Sequence, residues 1–91
     1  MKPDSRERIP VSDLETIFRL LKKKKSEFDI RKNHNSVLIE DGFKRFQVNK
    51  DGTVKSETPL KSLHTHNAER LSIGENEIEV QLEDGSYTIK I

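Results

Sequence analysis

The sequence predicts an α+β fold: one N-terminal amphipathic helix packed on a curved antiparallel sheet of six or seven short strands, rich in hairpins. Three observations predict it. A helical i, i+3, i+4, i+7 apolar stripe stands out at Leu14, Ile17, Phe18 and Leu21. From Phe28 onward, short apolar runs follow the period of extended chain. Three Asp-Gly pairs, at 41–42, 51–52 and 84–85, punctuate those runs and each signals a hairpin.

The helix is expected from about Asp13 to Lys24. Ser12-Asp13-Leu14-Glu15 has the pattern of a capping box, a hydroxyl followed three residues later by a carboxylate. Pro10 sits outside the hydrogen-bond ladder. On a helical wheel Arg19, Lys22 and Lys23 face solvent, whereas Lys25 falls on the apolar stripe, so the helix is expected to end or to run past the sheet by then. Ile9 and Leu20 lie off the stripe, where a partner is expected to meet them.

Strand signals follow. Phe28 and Ile30 alternate with charges, and Val37-Leu38-Ile39 reads as a strand covered on both faces. Around 41–42 no single register satisfies Val37, Ile39, Phe43 and Phe46, so a bulge is expected near Phe43–Lys44, with both phenylalanines in the core. At 51–52 a three-residue loop with a glycine bulge pairs Val48 with Val54. Thr58-Pro59 ends a strand, and 60–68 is either loop or a single helical turn. A two-residue turn at Glu75-Asn76 pairs Ile73 with Ile78 and Leu71 with Val80. A type I′ turn at Asp84-Gly85 pairs Leu82 with Tyr87, Val80 with Ile89 and Ile78 with Ile91, and sets Glu79 opposite Lys90.

The chain has 91 residues, read as a flexible tail over 1–10 and one domain over 11–91. It is 36% charged, yet 25 residues are Leu, Ile, Val or Phe, enough for a core. It has no cysteine, which excludes disulfides, zinc–thiolate sites and thiol nucleophiles. No apolar run reaches membrane-spanning or signal-peptide length, so a cytoplasmic protein with no membrane partner is expected. The net charge of +1 is segregated: residues 1–50 carry 13 basic and 8 acidic side chains, and residues 51–91 carry 4 and 8. Such asymmetry steers partners or drives head-to-tail association.

Lysines 22–25 close the helix, where each cation is favoured by the helix dipole by ~0.3–1 kcal/mol. Their first reading is a solubilising helix end. The rival is a phosphate-binding surface made of Arg19, Lys22, Lys23, Lys24 and Lys25 with Arg31, Lys32, Lys44 and Arg45. Gly42-Phe43-Lys44-Arg45-Phe46-Gln47-Val48 superficially resembles the aromatic strand of RNA-recognition sheets. It departs from it in lacking the second small residue and in spacing its rings three apart. His64 and His66 share a face of an extended segment and, with His34, form a candidate transition-metal site. Glu75, Glu77, Glu79 and Glu83 alternate along a strand without a nucleophile or histidine partner, which is no arrangement for acid–base work.

The sequence therefore reads as a small non-catalytic protein-interaction or assembly module, self-associating through a sheet edge. No cofactor is expected, and no small-molecule substrate is evident in the sequence. The alternative is nucleic-acid binding through the helix end and the basic surface of residues 31–45.

Overall fold

In the computed structural model the described residues are 8–75 and 77–90. The chain is α+β, mostly strand, in the order β1 (Ile9–Pro10), α1 (Leu14–Lys24), β2 (Asp29–Lys32), β3 (Ser36–Asp41), β4 (Lys44–Asn49), β5 (Val54–Glu57), β6 (Ser62–Thr65), β7 (Arg70–Ile73), β8 (Glu77–Leu82) and β9 (Gly85–Lys90). The strands form two antiparallel sheets rather than one sheet of six or seven strands. One has the order β1-β7-β8-β9 and the other β2-β3-β4-β5-β6. A period-2 pattern says which side chains are buried but not which sheet a strand joins. Buried residues of both sheets and the helix make one core, from Ile9, Leu71, Ile78 and Val80 on one side to Val37, Ile39, Phe46 and Val48 on the other.

The helix begins one residue later than its capping box implied. Asp13 is the N-cap: its carboxylate accepts from the Thr16 N–H at 3.3 Å and from the Thr16 hydroxyl at 2.8 Å. Leu14, Ile17 and Leu21 are buried, and α1 touches β2 and β3 of one sheet and β7 of the other. It thus joins the sheets on the side where the edge strands β1 and β2 lie. Ile9, expected to meet a partner, is instead buried in the core, paired opposite Leu71; Leu20 is half-buried against the same core. Of the expected 1–10 tail, residues 1–7 lie outside the described residues, and Ile9 and Pro10 form β1.

Two hairpins have the registers read from sequence. Val48 pairs with Val54 around Gly52, whose φ of 99° is left-handed. Ile73 pairs with Ile78 and Leu71 with Val80. Two others differ. The β3–β4 register runs without interruption from Asp41–Lys44 to Ser36–Asn49, so there is no bulge. Gly42 and Phe43 form a two-residue loop with positive φ at Gly42 alone, the type II′ arrangement, and Phe43 points outward instead of entering the core. Phe46 is buried, and Leu38 is only half-buried on the outer face of its sheet. The β8–β9 register is shifted by two residues: Leu82 pairs with Gly85, Val80 with Tyr87, Ile78 with Ile89 and Glu77 with Lys90. Glu83 and Asp84 form the loop, and neither has the positive φ of a type I′ turn. A shift of two leaves every side chain on its original face, so the apolar pattern tolerates both registers.

The stretch 60–68 holds β6 and the crossover between sheets. Asn67 adopts φ 63°, and the Ala68 N–H donates to the Gly52 carbonyl at 2.9 Å. A Cβ on Gly52 would stand 3.0 Å from the Ala68 carbonyl oxygen, so glycine is required there by closeness as well as by φ.

Candidate interaction surface

The nine basic residues proposed for phosphate fall into three environments. Arg19, Lys22, Lys23 and Lys24 are exposed on α1, with the Lys22 ammonium 5.7 Å from the Phe18 ring centroid; Lys44 is exposed beside the β3–β4 turn. Arg31, Lys32 and Arg45 have carboxylate neighbours of their own. Arg31 donates to Asp29 at 2.9 Å, and that bond holds its guanidinium pKa above the usual value. Arg45 donates to Glu40 at 2.8 Å and lies 3.8 Å from Glu57, and Lys32 lies 3.6 Å from Glu15. Lys25 overturns its assignment. It is only 1% exposed, and its ammonium donates to the backbone carbonyl of Glu75. Burial lowers its pKa, an effect opposed by the carboxylates of Glu27, Glu75 and Glu77. A lysine so placed ties the helix end to the β7–β8 turn and has no face left for a phosphate.

His64 and His66 are neighbours, with ring centroids 4.8 Å apart and planes tilted by 41°. His34 lies in the β2–β3 loop, next to the opposite edge of the five-stranded sheet. Among the described residues no three His, Asp or Glu side chains gather where they could hold a metal ion. No helix of the described residues is long and apolar enough to cross a membrane.

The sheets have four edges, and these are protected unequally. β1 is two residues long and contains Pro10. β2 bears Asp29, Arg31 and Lys32 and packs against α1. β6 is four residues long. β9 is six residues long, contains no proline, keeps an unbroken register with β8, and carries one charge, Lys90, at its end. Because Leu82 and Gly85 flank a two-residue loop, hydrogen-bonded pairs alternate from there. The N–H and C=O groups of Ser86, Thr88 and Lys90 therefore point away from β8, along the open edge.

That edge faces a seam toward β6. At one end of it the hydroxyls of Thr65 and Tyr87 are hydrogen-bonded at 2.7 Å. At the other end is a groove of about 200 Å³, with Ser56, Thr58 and Leu63 on one wall and Thr88, Ile89 and Lys90 on the other.

Sequence reasoning missed three features of this surface. Phe43 and Leu60 stand at turn tips, of which only Gly42-Phe43 carries a local two-residue loop signal, glycine in the first position. The Thr65–Tyr87 bond joins positions with no sequence relation. The choice of β9 as an edge depends on strand order, which local patterns do not encode. The chain has no significant match to any protein-family model, curated protein or solved structure.

Proposed function

We propose that this chain is a non-catalytic assembly module that self-associates through the outer edge of β9. The observation that carries the reading is a six-residue edge strand that pairs, among the described strands, with β8 alone, while the other edges are short, charged or proline-bearing. Antiparallel pairing about a two-fold axis at Thr88 sets Ser86 opposite the partner's Lys90 and Tyr87 opposite the partner's Ile89. The apolar side chains then stay on the core face in both copies. Nucleic-acid binding is the weaker reading, because Lys25 is buried and Arg31, Lys32 and Arg45 already have carboxylate neighbours.

Sedimentation velocity over a concentration series tests this. The protein is expected to shift from monomer to dimer as concentration rises. Thr88→Pro removes an N–H that β8 does not use, so the variant is expected to keep its fold by circular dichroism and stay monomeric. A wild-type protein that remains monomeric at every concentration would sink the reading, as would a Thr88→Pro variant that dimerises normally.

A further inference from the structure

We infer that the end of the molecule bearing the β3–β4 and β5–β6 turns docks on an anionic lipid surface. Each of these turns is a two-residue loop: Gly42-Phe43 between the paired Asp41 and Lys44, and Pro59-Leu60 between Thr58 and Lys61, whose backbones exchange hydrogen bonds of 2.8 and 3.3 Å. In both, the second loop residue is large, apolar and almost wholly in solvent, Phe43 at 86% exposed and Leu60 at 96%. In both, a lysine follows at once, Lys44 and Lys61. β4 and β5 are neighbours, with Arg45 opposite Glu57, so the two tips project side by side. Their hairpins are two strand spacings apart, roughly 10 Å.

The lysine run belongs to the same end. β2 starts there, with Asp29 opposite Glu40, and Phe28 lines one crevice together with Lys44 and Arg45. Only four positions separate Phe28 from Lys24, so the last turn of α1, with Lys22, Lys23 and Lys24, stands beside the tips. Of the carboxylates at this end, Asp29 lies against Arg31, Glu40 and Glu57 lie against Arg45, and Glu77 lies against Lys90. Glu27, Asp41 and Glu75 remain, against Lys22, Lys23, Lys24, Lys44 and Lys61.

The shape selects the occupant. A protein hot spot seats an aromatic or aliphatic anchor in a rigid pocket of the partner. Two separate convex points beside long-stemmed lysines match a soft interface, where apolar tips enter the acyl boundary and ammonium groups stay with anionic headgroups. The missing apolar run argued against a spanning segment and does not bear on this surface contact.

The chain contains no tryptophan, so Phe43→Trp creates a single reporter at one tip. Its emission is expected to shift to the blue with vesicles of phosphatidylcholine and phosphatidylserine, and not with phosphatidylcholine alone. Unlabelled protein is expected to co-sediment with the anionic vesicles, and the bound fraction is expected to fall about tenfold on Phe43→Ser plus Leu60→Ser. Both positions are exposed loop residues, and circular dichroism checks that the fold survives. Absence of the blue shift or of co-sedimentation would overturn the inference. Anionic binding that is indifferent to the tip substitutions would also overturn it. A blue shift that grows with protein concentration without vesicles would overturn it too, by assigning the tips to a protein contact.

Discussion

The two sides of the molecule where the sheets' edge strands come together are sealed by different chemistry. On the side of β1 and β2, α1 lies against both sheets and buries Leu14, Ile17 and Leu21 beside Ile30, Val37 and Leu71. On the side of β6 and β9 there is no helix among the described residues. The side chains are buried Ser56 and Ile89 and half-buried Leu63, Thr65 and Tyr87, joined by one hydroxyl pair at 2.7 Å with a groove beside it. One seam is closed by desolvated apolar area, which is non-directional and contributes several kcal/mol. The other has buried Ile89 and part-buried Tyr87, with a hydrogen bond whose net contribution is near 1 kcal/mol. Stability is thereby concentrated on the helix side, and the proposed association falls on the β9 side, where the seam contributes less.

The largest effect that would sharpen this contrast is on the helix side. Leu21→Ala removes a fully buried side chain and is expected to cost about 2–5 kcal/mol in urea unfolding. A cost below about 1 kcal/mol would mean that the helix is not the seal. Next is Lys25, the charged group inside the same seam. Lys25→Met keeps the apolar stem and removes a buried charge, and Glu75, whose carbonyl loses this donor, is an exposed turn residue. The variant is expected to fall within about 1 kcal/mol of wild type at neutral pH.

The pH dependence has a definite sign. Burial lowers the folded-state pKa of Lys25 below its usual 10.5, so between the two values the unfolded chain binds more protons. Wild type should therefore gain stability relative to Lys25→Met as pH rises from the depressed pKa toward 10.5. Thermal melts of the two proteins across that range check it, and a constant gap would show that the ammonium is not desolvated. The smallest effect is on the open seam. Tyr87→Phe removes one hydroxyl from a part-buried pair and is expected to cost about 0.5–1 kcal/mol. A loss as large as that of Leu21→Ala would erase the distinction between the sides.

Particular residues show how much of this was legible in the sequence. Leu14, Ile17 and Leu21 announce the helix and its buried face, because the stripe is local and its period is helical. The Gly52 loop was legible because only one loop length puts Val48 and Val54 on the same face. The β8–β9 register was not, because slips of two residues preserve every facing and the choice passes to the loop. The exposure of Phe43 was not legible, because its hydrophobicity points to the core whereas the two-residue turn sets its side chain in solvent. Lys25 was correctly seen to fall on the stripe, yet its acceptor lies 50 residues away on the β7–β8 turn and cannot be read from spacing.

By itself the sequence determined the class of fold, the single described helix, which faces are apolar and two of the hairpin registers, all consequences of contacts between residues near in the chain. Only the tertiary structure decided that the strands divide between two sheets, that β9 is left at an edge, and that Phe43 and Leu60 stand together at one end beside the lysines. Those outcomes depend on pairings between distant segments, where strands with equivalent alternating patterns compete for the same neighbour and packing of the whole core selects among them.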